Sequence, residues 1–468
     1  MGRLKNYFFL IPPPRMLRRA SFILLLFSIP SCKEDTAVIP PPPQPKINLA
    51  VEDVSCTEAW LNLKLENITL PVDLELKKDS TVIKTFFSFN SSDTTLYIDS
   101  LLPNQTYNFQ SVIQSINHSS NEVSVTTMDT TSHNYTWQTF EFGQHSSSVL
   151  YDVAIIDDNN IWAVGEIFMN DSLGNPDPHA YNAVHWDGNE WEVKKISVLY
   201  RGNLITPPLY GIFALANSEI WLSSGVPIKG DGTNWQQYHL FDMGILTQQD
   251  GYLTKIWGSS SSDIYFVGTL GTIAYYNGSQ WIRIESGTTL PLIKVHGNSE
   301  GDVYASGGSY LTSESIVLKL NGVQTAEKII DGYSDNQVDT SKLFISQLYG
   351  IFSGLWVDEG GSVIMGGSFI YRYRNNRWRF LNGVEGNYPG GFPSRSFIHD
   401  VSGNSQNDFC VVGEFGSVQH HNGITAVQIG EPFSFQNTTM YYGVDMNGDI
   451  IVTVGKKINQ AVVTVYMR

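Results

Sequence analysis

Cysteine is scarce in this chain, with 3 among 468 residues, at positions 32, 56 and 410. That excludes a disulfide scaffold, and no Cys/His spacing suggests a zinc site. Charge is scarce as well, at 16% of residues, and positive charge most of all: 29 Lys and Arg stand against 45 Asp and Glu, for a net charge of -16. Simple electrostatics therefore disfavours nucleic acid, polyanions and anionic lipid surfaces as partners. Long apolar runs are missing too. The run Phe22–Phe27 is too short to cross a membrane. What the chain has instead is glycine, 41 residues, and aromatics, 12% of the total.

These fall into a repeat, clearest from Leu253 to Ile284. Thr254–Gly258 alternates; Ser261-Ser262-Asp263 turns the chain; Ile264–Val267 is β-branched and aromatic; Gly268 to Gly271 turns it again. Thr272–Tyr276 and Trp281–Ile284 flank Asn277-Gly278, a pair expected to form a type I′ hairpin turn. Four strands apolar on both faces must stack on further copies. The inner phrase recurs at Tyr151-Asp152-Val153, Tyr210-Gly211-Ile212, Thr254-Lys255-Ile256, Ile293-Lys294-Val295, Tyr349-Gly350-Ile351, His399-Asp400-Val401 and Tyr442-Gly443-Val444, roughly every 48 residues. The hairpin signal returns at Asp187-Gly188, Asp231-Gly232, Asn321-Gly322, Asn375-Asn376 and Asn422-Gly423.

The seventh copy ends after three strands, and Tyr135–Phe140 ahead of the first copy reads as a stray outer strand. Pairing the two would close a ring and remove its exposed edges. The expected fold is all-β: a β-propeller of seven blades over residues 134–468, closed by its N-terminal strand, with six or eight blades as alternatives.

Upstream, residues 1–31 have the Arg18-Arg19 n-region and short apolar stretch of a secretory signal, with Met1 or Met16 as the start. Ile29-Pro30-Ser31-Cys32 resembles a bacterial lipobox, and Lys33-Glu34-Asp35 resembles the signal that exports lipoproteins to the surface of Bacteroidota. Asp35-Thr36-Ala37 is similar to the O-glycosylation acceptor used there. The resemblance implies lipidation of Cys32, anchoring in the membrane through lipid, and an outer-membrane or cell-surface location in a bacterium. An ordinary cleaved signal with a chance cysteine is the alternative. Residues 32–46 then form a Pro-rich linker, extended as polyproline II.

Residues 47–130 change to short alternating strands. Leu102-Pro103-Asn104-Gln105-Thr106-Tyr107 resembles the tyrosine corner of a fibronectin type III domain, and Val125–Thr130 its closing strand. The resemblance implies a small β-sandwich with Trp60 in its core and the Tyr107 hydroxyl bonded back to the corner, acting as a second spacer.

Functional residues are few. At the inner-strand position the copies read Asp152, Gly211, Lys255, Lys294, Gly350, Asp400 and Gly443, as suits a narrow axial channel. Asp152, Lys255, Lys294 and Asp400 either bind a polar ligand there or neutralise one another. Glu219, Asp263, Asp302, Asp408 and Asp449, each before a second strand, are expected to cap turns. His420-His421 and His399 lack a third ligand, so no metal or cofactor is expected. Long insertions at Phe168–Tyr181, Tyr238–Gly251, Asp331–Gln347 and Glu385–Arg395 suit ligand contact, the last through Tyr388 and Phe392. The chain therefore reads as a lipid-anchored binding or adhesion protein for a glycan or protein, without catalysis. A sialidase-type hydrolase or a lyase acting on glycans is the alternative, disfavoured because S-x-D-x-G-x-x-W boxes and inner-strand arginines are missing. An assembly factor or structural part of an envelope complex is the third.

Overall fold

The computed structural model describes residues 43–322, 325–333, 350–381 and 396–468; Cys32, Tyr388 and Phe392 lie outside them. Pro45–Arg468 forms one compact unit. Its first part is a β-sandwich. One sheet holds Lys46–Val54, Ala59–Glu66 and Asp93–Ile98; the other holds Thr81–Phe89, Val72–Lys78, Thr106–Ile113 and His118–Ser119, with Val123–Thr126 also on Thr106–Ile113. Leu49, Leu61, Leu63, Leu74, Leu76 and Phe109 fill the space between them. The Leu102 N–H donates to the Tyr107 hydroxyl at 3.0 Å.

Trp60 departs from expectation. On Ala59–Glu66, Leu61 and Leu63 face the sandwich core, so alternation turns Trp60 to the outer face. It is nonetheless buried, because the guanidinium groups of Arg372 and Arg374 from the second part lie 5.1 and 4.7 Å from its ring.

That second part is a β-propeller. Its sheets begin at Val149–Asp157, Gly211–Ala216, Leu253–Ser260, Leu292–Gly297, Gly354–Val357, Ile398–Ser405 and Thr439–Asn447, and are called the first to the seventh here. Each has four antiparallel strands in sequence order, except that the seventh takes its fourth strand, Thr136–Phe142, from ahead of the first sheet. The first strand of each sheet packs on that of the next, and that of the seventh on that of the first. Interlocked aromatics fill the gaps between sheets. Trp221, fully buried, meets Phe266 and Trp281 of the following sheet at centroid distances of 5.9 and 6.0 Å. Truncating such a side chain to alanine costs about 3–5 kcal/mol.

Register corrects two expectations. In the fifth sheet Gly354 pairs with Gly366, as Asp400 pairs with Val412 and Asp152 with Val164, so Gly354 rather than Gly350 takes the inner position. A Cβ there would be crowded, standing 2.9 Å from Val401 Cγ2 and 3.0 Å from the Asp400 carbonyl carbon. The hairpin at Asn277-Gly278 is not a two-residue type I′ turn. Tyr276 pairs with Trp281 around a four-residue loop in which only Gly278 has positive φ, and the Asn277 side-chain oxygen accepts from the N–H groups of Ser279 and Gln280 at 3.0 and 2.7 Å. Asp187, Asp231 and Asn422 repeat the arrangement, which is why Asp or Asn stands there. Asn375-Asn376, both with positive φ between paired Arg374 and Arg377, is the two-residue exception.

Candidate binding surface at the channel mouth

All four channel residues expected from the sequence come together, as two ion pairs. Lys255 Nζ lies 2.9 Å from Asp152, and Lys294 Nζ 2.7 Å from Asp400. Each pair reaches over an intervening sheet whose inner residue is glycine, Gly211 in one case and Gly354 in the other. The carboxylates also tie neighbouring inner strands: Asp152 accepts from the Ile212 N–H at 3.3 Å and Asp400 from the Val444 N–H at 3.2 Å. Asp445 does the same for Ile155 at 2.8 Å, closing the ring between the seventh and first sheets. Burial lowers the pKa of Lys255 against the pull of Asp152. At Lys294 burial acts in the same sense, but Asp400, Asp152 and Asp445 together outweigh it and the pKa moves up. These charges are already satisfied by one another and by backbone, which is the neutralising alternative of the two the sequence left open.

A feature missed by the sequence reading lies one residue earlier. At most of these positions the inner strand carries a bulge: the register slips between Leu150 and Asp152, Leu253 and Lys255, Leu292 and Lys294, Ile398 and Asp400, and Tyr441 and Gly443. The residues standing before the inner positions read Tyr151, Tyr210, Thr254, Ile293, Ser353, His399 and Tyr442. Four aromatic rings are thus gathered on one half of the ring. Tyr210 and Tyr151 are 5.6 Å apart, Tyr151 and Tyr442 6.2 Å, Tyr442 and His399 5.2 Å. Phe397 and exposed Tyr310 continue the arc at 5.3 and 5.7 Å. The recurring tyrosine ahead of the inner position was the available signal; its meaning depended on the bulge.

This arc sits where the inner strands begin. The sandwich docks where they end, on the turns of the fifth and sixth sheets. Buried Glu58 pairs with Arg372 at 2.6 Å and with Arg379, and accepts from the Tyr97 hydroxyl at 2.5 Å. Asp53 pairs with Arg374 and accepts from Gln406 Nε2 at 2.7 Å. Gly423, at φ +88, lies so near the sandwich that a Cβ would stand 2.5 Å from Cys56 Sγ. Cys56 and Cys410 are both buried free thiols.

The remaining acids and histidines have structural partners. Glu219 pairs with Lys229, Asp302 with Lys319, and Asp408 and Asp449 with Arg468, so these four acids hold basic side chains; Asp263 and Asp408 also bond within their own turns, accepting from the Ser259 hydroxyl at 2.5 Å and from Asn404 Nδ2 at 2.8 Å. His420 contacts Asp408 at 2.8 Å and His133 at 2.7 Å, while His421 stacks on Phe409 on the other face of the strand. Among the described residues no group of three side chains is placed to hold a metal ion.

No family model and no curated protein matches the chain. Solved structures similar to it include YCF48 bound to D1 peptide, at 14% identity and a TM-score of 0.48, over 72% of this chain and 99% of that one. YCF48 from Cyanidioschyzon merolae follows at 13% and 0.46, over 71% and 98%. The WD40 beta propeller domain of Doa1 stands at 11% and 0.47, over 72% and 98%. What these chains share with the present one is the β-propeller.

Proposed function

We propose that the chain is a lipid-anchored bacterial surface protein that binds a glycan or protein ligand at the channel mouth of a seven-bladed propeller, with a fibronectin type III-like sandwich fixed to the opposite face. The carrying observation is the arc Tyr210–Tyr151–Tyr442–His399 at the end of the inner strands away from the sandwich. Tyrosine offers a flat apolar face and a polar tip at low ordering cost, which suits sugar rings and peptide alike. Binding is favoured over catalysis because the channel carboxylates and ammonium groups are committed to each other. The lipobox-like Ile29-Pro30-Ser31-Cys32 supports the anchor, and the seven sheets with the borrowed strand Thr136–Phe142 support the blade count.

A glycan-array and surface pull-down screen with the intact chain tests the reading, run beside a Tyr151→Ala/Tyr442→Ala variant. A ligand retained by the wild type and lost by the variant supports the mouth as the site; a ligand held equally by both moves the site elsewhere. Cys32→Ser should abolish palmitate labelling and release the chain from the membrane fraction, and persistence of labelling would sink the anchor.

A further inference from the structure

The register that fixes the inner positions also fixes a second ring of positions around the mouth. In each sheet it lies on the second strand, two residues past the residue paired with the inner position. From the first sheet to the seventh it reads Glu166, Gly225, Thr269, Gly308, Ser368, Glu414 and Lys456. Charge therefore occurs in three neighbouring sheets, the sixth, seventh and first, in the order acid, base, acid. Those are the sheets that carry His399, Tyr442 and Tyr151.

Each charged residue stands beside the arc. Val149, two residues before Tyr151, pairs with Glu166. The pKa of Tyr151 and of Tyr210 is raised, first by burial and then by neighbours that include the Glu166 carboxylate. Lys456 pairs with Met440, whose sulphur accepts from the Tyr442 hydroxyl at 3.5 Å. The Glu414 N–H donates to the Phe397 carbonyl oxygen at 3.1 Å. All three residues are half-buried, and among the described residues none of their side chains has an ion-pair or hydrogen-bond partner. Other charges on this face do pair off, Lys195 with Asp177 at 2.7 Å, Arg201 with Asp242 at 3.1 Å and Lys457 with Glu141 at 3.0 Å.

This pattern selects among ligands. A neutral sugar chain lying over the arc would cover three half-buried charges and give them nothing in return. An acidic glycan would meet Lys456 but face both carboxylates, and a polyamine would meet the carboxylates but face Lys456. A polypeptide carries both signs. It also has apolar side chains for the rest of the rim, where Tyr310, Leu311, Phe435 and Ile458 are more than half exposed and Phe415, Phe433 and Phe435 pack edge to face at 5.2 to 6.4 Å. A sugar, hydroxylated at nearly every carbon, cannot cover such side chains without stripping water from hydroxyls that find no partner there. The rings of the arc follow one another at 5.2 to 6.2 Å. That is close to the ~6.6 Å between same-face side chains of an extended strand.

We propose that the mouth ligand is an extended polypeptide segment whose side chains run basic, acidic, basic past Glu414, Lys456 and Glu166. The inference rests on the mouth being the binding site, and it narrows the ligand there from glycan or protein to protein.

The test titrates the intact chain, by fluorescence anisotropy, with three labelled peptides of equal length and apolar content. Their charges are ordered basic–acidic–basic, ordered acidic–basic–acidic, or replaced by serine; neutral oligosaccharides are titrated as competitors. The first peptide should bind at least about tenfold more tightly than the second, and the difference should shrink as salt is raised. Glu166→Lys/Lys456→Glu/Glu414→Lys should reverse that preference at an unchanged thermal midpoint, an effect that loss of folding cannot produce. Equal binding of the two charged peptides, no binding of the first, or a preference that the triple variant leaves in place overturns the inference. An oligosaccharide that binds instead, and is lost in Tyr151→Ala/Tyr442→Ala, would also overturn it while keeping the mouth as the site. A peptide held equally by wild type and by that tyrosine variant would overturn the mouth itself.

Discussion

The two ends of the inner strands are built from opposite materials. Where the strands begin, Tyr210, Tyr151, Tyr442 and His399 present rings in a row. Where they end, Glu58, Asp53, Arg372, Arg374 and Arg379 form a buried ionic joint with the sandwich. Between the third and fourth strands of the fifth sheet, Arg372 lies directly across from Arg379 and Arg374 across from Arg377. Like charges facing each other weaken a hairpin, so this one relies on the sandwich carboxylates to offset the repulsion. The joined end is specialised for holding the molecule together, and the aromatic end is left for contact with something else.

The sharpest way to break that contrast is at Glu58. Glu58→Ala removes the buried carboxylate that Arg372 and Arg379 share, and should cost about 3–5 kcal/mol, seen as a lower urea midpoint and faster proteolysis between sandwich and propeller. The combination Glu58→Leu/Arg372→Met/Arg379→Met removes all three charges and should recover most of the loss. If the triple variant is as unstable as the single one, packing rather than charge holds the joint. Lys294→Met, which orphans Asp400 in the channel, belongs to the same class; it is expected to cost about 3 kcal/mol by the same measurement, less if water reaches Asp400.

The repeat was legible in the sequence because it rests on local signals: Gly and Asp or Asn at turns, and β-branched alternation between them. The inner-position residues Asp152, Lys255, Lys294 and Asp400 could be named from it, since an inner strand has room for small or polar side chains alone. What stayed hidden depends on register and on contacts distant along the chain. Gly350 mimics the inner phrase, yet pairing selects Gly354, four residues on. Trp60 reads as a sandwich core residue until the propeller arginines are seen to cover it. Gln406 Oε1 and His421 Nε2, buried without a hydrogen-bond partner among the described residues, have no sequence signature, because both depend on how the sandwich docks.

Acid should discriminate between the ends as well. Burial lowers the pKa of His421 to about 3 and of His133 to about 4 on the sandwich side, of His399 to about 4 at the mouth, and of His296 to about 3 between the fourth and fifth sheets. Each folded value lies below the unfolded value near 6.5, so the unfolded chain takes up protons first as pH falls. Stability is then complete above about pH 6.5 and is lost progressively as pH falls from there through about pH 3. Urea midpoints measured from pH 7.5 to 4 should fall accordingly, and His421→Phe should flatten the slope more than His399→Phe, because the His421 ring is the more deeply enclosed. A midpoint independent of pH would mean that these rings reach water more readily than their packing indicates.

The smallest effect on stability should accompany the largest effect on binding, at Tyr151. Its ring touches Tyr210 and Tyr442 but belongs to none of the buried clusters between sheets, and it is part-exposed at the mouth. The backbone there is held independently, since the Lys255 ammonium donates to the Tyr151 carbonyl oxygen at 3.1 Å whatever the side chain is. Tyr151→Ala should therefore shift the unfolding free energy by only about 1 kcal/mol, the worth of an aromatic contact or two. The same change removes the centre of the arc, so a ligand bound across it should lose about tenfold or more in affinity, a hot-spot loss of at least 1.4 kcal/mol. Paired measurements of unfolding and binding on this one variant decide the matter. A large stability loss would place Tyr151 with the structural residues and make the two ends alike; a small one with lost binding would confirm that the aromatic end is spared from holding the fold.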